Sequence, residues 1–272
     1  MDFDGESSLA GRVAVITGVS RRRGIGFAVA QRLASMGASL FLQHYAPHDA
    51  QQPWGADSLD ALIAELSGSL VGEASIDHAE IDLESATGGE ELIRAAAAAF
   101  GHLDILVCNH ARSGGDGRLA DMTAEMLDGH WHVNARSTLL ATRDFAAQHD
   151  GRPGGRVIWM TSGQVSGPMS NEIAYATSKA ALAGITPSVA EDLAERGIVL
   201  NTVNPGPVNT GYLDDLTGDR DPETIRDVLS HFPGGEFGEP DDPARLIAWL
   251  VSDAGRWMVG QVLTTDGGFR RW

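Results

Sequence analysis

The sequence predicts a doubly wound α/β fold, in which helices cover both faces of a seven-stranded parallel sheet. Short apolar runs rich in valine and isoleucine alternate along the chain with longer segments of helical periodicity, which is typical of β-α-β units. The runs are apolar at successive positions, as expected of strands buried on both faces. No linker or internal repeat interrupts the pattern, so residues 1–272 are expected to form one domain.

The strands are identified by their apolar runs and by the turn residues that end them. The first run is continuously apolar from Val13 to Ile16 and ends at Thr17-Gly18, and the last one precedes Asp266. Seven strands are predicted, at residues 12–16, 39–43, 79–83, 104–108, 156–161, 198–203 and 261–265.

The helices fall between these strands. The segment after the first strand places Ile25, Val29 and Leu33 on one face, and the segment after the third strand is rich in alanine. Right-handed crossovers through such helices give a Rossmann fold, in which ligands bind at the carboxyl ends of the strands. Helices are predicted at residues 24–36, 58–67, 90–100, 122–148 and 172–196.

Composition and charge exclude several classes of protein. The 272 residues carry a net charge of −17, which repels nucleic acids and anionic membranes. The single cysteine, Cys108, excludes an intramolecular disulfide and a cysteine-built metal site. Among the histidines, His130 and His132 point to different sides of one helix, so no metal site is expected. The acidic first residues and the lack of a long apolar run predict a cytoplasmic protein.

A glycine-rich turn joins the first strand to the first helix. It contains Gly18, Gly24 and Gly26. Glycine lets a backbone approach a ligand closely, and the free N–H groups at a helix start attract a pyrophosphate. Many such turns need glycine only for packing, but the place of this one after the first strand favours dinucleotide binding.

Ser162, Tyr175 and Lys179 form the candidate catalytic group. Tyr175 and Lys179 are four residues apart on one predicted helix and share a face, and Lys179 is the only lysine in the chain. A nearby ammonium favours the ionised form of a phenol whose pKa is ordinarily about 10. Ser162, 13 residues before Tyr175, offers a hydroxyl to a reacting oxygen. The combination predicts hydride transfer to a carbonyl with delivery of a proton to the forming alkoxide.

The chain resembles the classical short-chain dehydrogenase/reductase family, and is close in pattern to 3-oxoacyl-carrier-protein reductases, over about residues 9–268. Tyr-x-x-x-Lys with a serine 13 residues earlier is that family's active-site pattern. The resemblance implies that Tyr175 is the acid/base, that Ser162 orients the carbonyl, and that Lys179 holds the nicotinamide ribose and lowers the tyrosine pKa. It also implies that Asn134 supports a water relay, with a kink inside the helix as the alternative role for Asn134.

The resemblance implies a set of cofactor contacts as well. Asp82 matches the residue that binds the adenine amine, and Val208 and Thr210 match positions that hold the nicotinamide carboxamide. The turn that contains Asp266 is expected to be structural. Together with residues chosen for their charge or position, the expected cofactor contacts are Gly18, Arg22, Arg23, Gly24, Ile25, Gly26, His44, Asp82, Leu83, Asn109, Ala111, Tyr175, Lys179, Pro205, Gly206, Val208 and Thr210.

Two segments depart from the family pattern. Five residues instead of three separate Thr17-Gly18 from the next glycine pair, so the turn must bulge. After the fourth strand, Cys108-Asn109-His110-Ala111 replaces Asn-Asn-Ala-Gly. We expect Cys108 to be a buried apolar residue, whereas His110 either titrates near neutral pH or serves packing.

The end of the second strand bears on the choice of cofactor. An acid there would bind the 2′-hydroxyl of NAD, but His44 stands at that position. Arg21, Arg22 and Arg23 offer charge to a 2′-phosphate, which favours NADP(H), although a solvated loop is the simpler role. Asp49, further along the chain, leaves NAD(H) open as the alternative.

The leading interpretation is an NAD(P)-dependent oxidoreductase that reduces a small ketone or other carbonyl compound to an alcohol, or runs the reverse. Alternatives are a catalytically silent dinucleotide-binding sensor or scaffold, and a dehydratase or epimerase. Enoyl reduction is disfavoured because related enoyl reductases space tyrosine and lysine more widely. Residues 211–235 are expected to form a substrate lid, with Met169 and Tyr212 in the pocket. The resemblance implies a homotetramer that pairs the two long helices.

Overall fold

A single parallel sheet forms the centre of the molecule. The computed structural model describes residues 8–52, 55–214 and 221–270. Within them the strands follow the order β3-β2-β1-β4-β5-β6-β7, and every neighbouring pair is parallel, so the predicted fold class is confirmed. The seven strands of this sheet are β1 (Val13–Ile16), β2 (Ser39–His44), β3 (Ile76–Glu80), β4 (Ile105–Cys108), β5 (Gly155–Met160), β6 (Ile198–Asn204) and β7 (Val262–Thr264).

Helices cover both faces of the sheet. In the described residues they are α1 (Ile25–Ser35), α2 (Ala46–Ala50), α3 (Leu59–Ser67), α4 (Gly88–Phe100), α5 (Ala124–His130), α6 (Ser137–Gln148), α7 (Ile173–Ala194), α8 (Pro222–Ser230) and α9 (Asp241–Val251). α1 and α9 pack against each other on one face, and α4 packs against α6 on the other. In β1, Ala14 and Ile16 face the α1 side while Val13 and Val15 face the α4 side, because successive side chains of a strand alternate.

The third strand was predicted three residues too late. The prediction placed it at residues 79–83, and the structure places it at Ile76–Glu80. β3 is an edge strand whose residues are only partly buried or exposed, so it has no continuous apolar run. The apolar signal came instead from Ile81 and Leu83, each 4% exposed, which are buried in the segment after the strand.

The long helix predicted at residues 122–148 is interrupted. α5 passes into a π-helical turn at Trp131–Arg136 before α6 begins. α9 was not predicted, because Asp241-Asp242-Pro243 suggests a turn, yet proline is tolerated in the first turn of a helix. No helix in the described ranges is both long and apolar enough to cross a membrane.

Candidate active site

The glycine-rich turn lies where β1 is flanked by β2 on one side and β4 on the other. Gly18 has a φ of +70°, and a Cβ on Gly26 would lie 2.6 Å from the Gly18 carbonyl oxygen, so both positions require glycine. Gly24 precedes α1 without a side-chain hydrogen bond to its first N–H groups. A pyrophosphate therefore fits this turn, because the glycines carry no side chain and the helix start offers donors.

Arg21 spans the opening of the turn. Its Nε lies 3.1 Å from the Asp49 carboxylate, and its Nη1 donates to the Thr210 carbonyl at 2.8 Å. Asp49 is 7% exposed and also accepts a hydrogen bond from the Ser20 hydroxyl. Ser20 and Arg21 thus connect the turn to the segments that follow β2 and β6. This pairing could not be predicted from spacing, because Asp49 lies 28 residues from Arg21.

Arg22 and Arg23 also contact carboxylates. Arg22 donates to Asp57 from its backbone N–H at 2.7 Å and from Nη2 at 3.1 Å, and these bonds lower the pKa of Asp57. Arg23 makes paired bonds to Asp214 at 2.6 and 3.1 Å. Both arginine side chains are well exposed, at 42% and 61%. We expected the arginine charges to be freely available to a 2′-phosphate. This needs correction, because a phosphate must compete with the carboxylates that already bind these arginines.

The end of β2 is arranged differently from the expectation for His44. The His44 ring is buried, and its Nε2 lies 3.3 Å from Nδ1 of His78 on β3. Burial lowers its pKa, so the ring is neutral at neutral pH. Gln43 is the polar residue that reaches the turn, since its Oε1 accepts the Gly18 N–H at 2.9 Å. A sequence signal that could have identified Gln43 is its polar amide directly after the apolar run Leu40 to Leu42.

Asp82 and Leu83 follow β3, and Asn109 follows β4, so all three lie at the carboxyl ends of parallel strands. Asp82 is exposed, and its negative charge raises the pKa of Tyr45, whose hydroxyl it also hydrogen-bonds. Leu83, the next residue, is buried. Asn109 donates to the carbonyls of Thr17 and Gly18 at 3.1 and 3.2 Å, so β4 holds the turn in place.

The segment after β6 is fixed by two close contacts. Gly206 has a φ of +67°, and a Cβ there would lie 2.4 Å from the Cβ of Asp266. Val208, 3% exposed, forms a parallel bridge with Gly238. Pro205 to Thr210 therefore follow one defined path from β6 toward Arg21, beside the turn.

Ser162 and Tyr175 come together at the end of β5. The Ser162 side chain hydrogen-bonds the Tyr175 phenol, and both residues are only partly buried, so a ligand can reach them. Burial raises the pKa of Tyr175 above its ordinary value, the Ser162 hydrogen bond opposes this, and Glu172 adds to the rise. The expected lowering of the tyrosine pKa by Lys179 is wrong for this structure, because burial dominates.

Lys179 is enclosed beneath Tyr175. It is 2% exposed, its Nζ donates to the Met160 carbonyl at 2.9 Å, and this nitrogen lies 5.9 Å from the Tyr175 ring centre. Burial lowers the pKa of Lys179 to about 8. The lysine is therefore charged at neutral pH but close to losing its proton.

Asn134 lies within the π-helical turn and contacts two segments. Its Oδ1 accepts the Arg112 N–H at 2.7 Å, and its Nδ2 donates to the Arg112 carbonyl and to Ser178 Oγ at 3.0 Å. Ser178 in turn donates to the Tyr175 carbonyl at 2.7 Å. Asn134 thus reaches the helix of Tyr175 through Ser178, and the helix irregularity offered as its alternative role is also present.

His110 and Cys108 are buried and unreactive. Nδ1 of His110 lies 2.7 Å from Thr17 Oγ1, and its Nε2 lies 2.7 Å from Ser137 Oγ. Burial, with Lys179 nearby, lowers the pKa of His110 to about 3, so of its two proposed roles packing is the one the structure supports. Burial raises the pKa of Cys108 to about 12, as expected of an apolar core residue.

Known proteins share this fold and this sequence pattern. A family model described as Enoyl-(Acyl carrier protein) reductase matches residues 18–270. An uncharacterized oxidoreductase of Bacillus subtilis, YjdA, is 36% identical over 264 residues, which are 96% of this chain and 97% of that protein. This chain belongs to the short-chain dehydrogenase/reductase family. It is an NAD(P)-dependent oxidoreductase acting on CH–OH or C=O groups, as the sequence predicted.

Two solved structures of family members bear on the cofactor. A short chain dehydrogenase from Burkholderia cenocepacia in complex with NADP is 32% identical, with a TM-score of 0.79 over 96% of this chain and 98% of its own. A 7α-hydroxysteroid dehydrogenase with NADH and 7-oxo glycochenodeoxycholic acid is 28% identical, with a TM-score of 0.85 over 100% and 99%. Both dinucleotides thus occur on this fold. In the described residues, no group of three or more His, Cys, Asp or Glu side chains is placed to bind a metal ion.

Proposed function

We propose that this enzyme reduces a small ketone or aldehyde to an alcohol with NADPH, using Ser162, Tyr175, Lys179 and Asn134. The observation that carries the proposal is the hydrogen bond between Ser162 and the Tyr175 phenol beside the buried Lys179 ammonium. These groups stand at the carboxyl ends of the strands, on the edge of the sheet that also carries the glycine-rich turn.

The cofactor fits the residues present. The turn at Gly18, Gly24 and Gly26 would hold the pyrophosphate, Asp82 and Leu83 the adenine, and Val208 and Thr210 the nicotinamide amide. The other proposed contacts are Ile25, Asn109, Ala111, Pro205 and Gly206, with Tyr175 and Lys179 at the ribose. When bound, the nicotinamide supplies the hydride.

In this proposal Tyr175, Ser162 and Lys179 carry out the proton transfer to the substrate. The raised pKa of Tyr175 keeps its phenol protonated at neutral pH, so it can donate to the oxygen of a carbonyl that becomes an alkoxide. Ser162 orients that oxygen by a hydrogen bond. The Lys179 ammonium, charged below about pH 8, stabilises the phenolate that remains. Asn134, through Ser178, holds the helix that carries both groups.

Preference for NADPH over NADH follows from the surroundings of the ribose. Asp49, the acid nearest the turn, is already bonded to Ser20 and Arg21 and is a poor partner for a ribose 2′-hydroxyl. Arg22 and Arg23 are exposed enough for a 2′-phosphate to replace their carboxylate partners. His44 is proposed only as a neutral wall of this site.

The surroundings of the substrate complete the proposal. Residues 211–235 would cover the substrate as a lid. The structure describes 211–214 and 221–235, which include α8, while 215–220 lie outside the described residues. We also propose that residues 1–272 form one domain, that the enzyme works as a cytoplasmic homotetramer, and that its substrate is a free carbonyl compound.

Paired titrations with NADPH and NADH, followed by nicotinamide fluorescence, test the cofactor assignment. NADPH is expected to bind at least about tenfold more tightly, which corresponds to about 1.4 kcal/mol. Carbonyl probes such as ethyl acetoacetate, benzaldehyde and cyclohexanone should then consume NADPH in stoichiometric amounts. Equal or tighter binding of NADH contradicts the arginine assignment, and nucleotide binding without turnover of any carbonyl contradicts the reductase assignment.

A further inference from the structure

Asp116 caps the helix that carries the catalytic tyrosine, although it lies far from that helix in sequence. Its Oδ2 accepts the backbone N–H of Tyr175 at 2.7 Å, and its Oδ1 accepts those of Ala174 and Gly117 at 3.0 and 2.7 Å. Glu172, the residue that precedes α7, makes no side-chain capping bond. Asp116 is therefore the cap of α7, and one of its oxygens holds the amide of Tyr175 itself.

His130 contacts the other end of the same tyrosine. Its ring stands edge-on to the Tyr175 ring, with centroids 6.0 Å apart and an interplanar angle of 82°. Its Nε2 lies 3.1 Å from the Gly114 carbonyl, two residues before Asp116, and 3.9 Å from the Asp116 carboxylate. The loop 114–117 thus holds both the backbone of Tyr175 and the imidazole against its ring.

The imidazole is costly for stability at this position. His130 is 0% exposed, and its Nδ1 has no hydrogen-bond partner in the described residues. A buried polar atom without a partner destabilises the folded state, and a leucine of similar size avoids this penalty. Burial lowers the pKa of His130 against the opposing effect of Asp116, while Arg112 lowers it further, so the ring is neutral. A costly neutral ring against a catalytic side chain indicates a role in function.

We propose that Asp116 and His130 are positioning residues for Tyr175, the first fixing its backbone and the second its ring. The inference rests on the proposed function, because it assigns to Tyr175 the role of proton donor. A displacement of about 1 Å between a donor and its acceptor can lower a rate by about 100-fold. Loss of either contact should therefore slow proton transfer more than it affects binding.

A spectroscopic test does not depend on finding a substrate. The chain has three tyrosines, so incorporation of 3-fluorotyrosine gives three 19F resonances, and Tyr175→Phe identifies the one from Tyr175. In Asp116→Asn, where one acceptor becomes a donor, the Tyr175 resonance is expected to shift or broaden while those of Tyr45 and Tyr212 stay. Ser58→Ala, which removes the cap of the distant α3, should move none of them. An unchanged Tyr175 resonance in Asp116→Asn overturns the proposal.

Kinetic measurements separate positioning from folding. In Asp116→Asn and His130→Leu we expect kcat to fall at least tenfold, with NADPH Kd and substrate KM within twofold and a larger solvent isotope effect on kcat. A partly unfolded preparation lowers kcat but keeps the wild-type isotope effect. His130→Leu should also melt at the same or a higher temperature. If His130→Leu keeps the wild-type kcat, the imidazole does not position Tyr175. If the wild-type protein itself is inactive, the proposed function is refuted, and the 19F result alone decides whether Asp116 positions Tyr175.

Discussion

The two halves of the proposed site are built from different interactions. On the phosphate side, Arg22 and Arg23 of the glycine-rich turn form partly exposed ion pairs, such as Arg22 with Asp57 at 42% and 28% side-chain exposure, and only the Arg21 pair with Asp49 is mostly buried. On the proton-transfer side, Lys179 is 2% exposed and donates to the uncharged Met160 carbonyl. The phosphate side holds arginines that are already paired with carboxylates. The proton-transfer side holds the buried Lys179 ammonium next to the Tyr175 phenol.

The difference teaches what each half requires of a ligand. A phosphate that binds the turn exchanges one anion for another, so selectivity there depends on small differences and on salt. The proton-transfer half needs no exchange of partners, because Ser162, Tyr175 and Lys179 are already held by hydrogen bonds. Substitutions should therefore have large effects on the buried half and modest effects on the exposed half.

The largest effect is expected from Tyr175→Phe, which removes the proton donor and keeps the ring. Loss of a general acid typically lowers kcat by about 10² to 10⁴-fold. NADPH affinity should change little, because the substitution removes one hydroxyl contact at the ribose and leaves Lys179 and the phosphate side in place. Steady-state kinetics and fluorescence titration of the same preparation measure both quantities. A variant that retains more than a tenth of the wild-type kcat would show that another group delivers the proton.

A large loss of stability is expected from His110→Ala. The imidazole bridges Thr17 on the turn and Ser137 on α6, and its removal leaves buried polar groups and a cavity. We expect a loss of about 2–3 kcal/mol in the free energy of unfolding. Asp57→Asn, which breaks an exposed ion pair on the phosphate side, should change it little. Equal effects in urea denaturation would show that burial of the lost group does not determine the loss of stability.

The fold was predictable because its signals are local. Buried strands such as β4 and β5 are continuous apolar runs, and the alternation with helices sets the parallel topology. The edge strand β3 was misplaced because its residues are only partly buried or exposed, so it lacks a continuous apolar run. α9 was missed because its acidic, proline-containing start suggests a turn.

The candidate site was predictable only where spacing along the chain carries the information. Tyr175 and Lys179 are one helical turn apart, so their shared face follows from the sequence. The partners of Asp116 lie 58 and 59 residues away, and no spacing rule connects them. The pKa of Tyr175 was predicted in the wrong direction, because burial is a tertiary property that sequence distance does not report.

The pH dependence of reduction is expected to follow Lys179. Its pKa is lowered to about 8, so it is cationic below that pH and neutral above it, whereas Tyr175, with a raised pKa, stays protonated throughout. The kcat for carbonyl reduction at saturating NADPH should therefore fall about tenfold per pH unit above about pH 8. A midpoint above pH 10 would assign the titration to Tyr175, and a flat profile would contradict both assignments.

The smallest effect is expected from Arg22→Gln on the phosphate side. Asp57 loses the guanidinium but keeps the backbone N–H of residue 22, and a 2′-phosphate loses an exposed donor, so NADPH Kd should rise about three- to tenfold while NADH Kd stays constant. The effect should shrink at high salt, because this pair is exposed. Arg245→Gln removes an equal charge from an exposed pair with Asp241 on α9 and serves as the control. If both variants weaken NADPH equally, the long-range charge of the protein decides, and Arg22 has no contact with the 2′-phosphate.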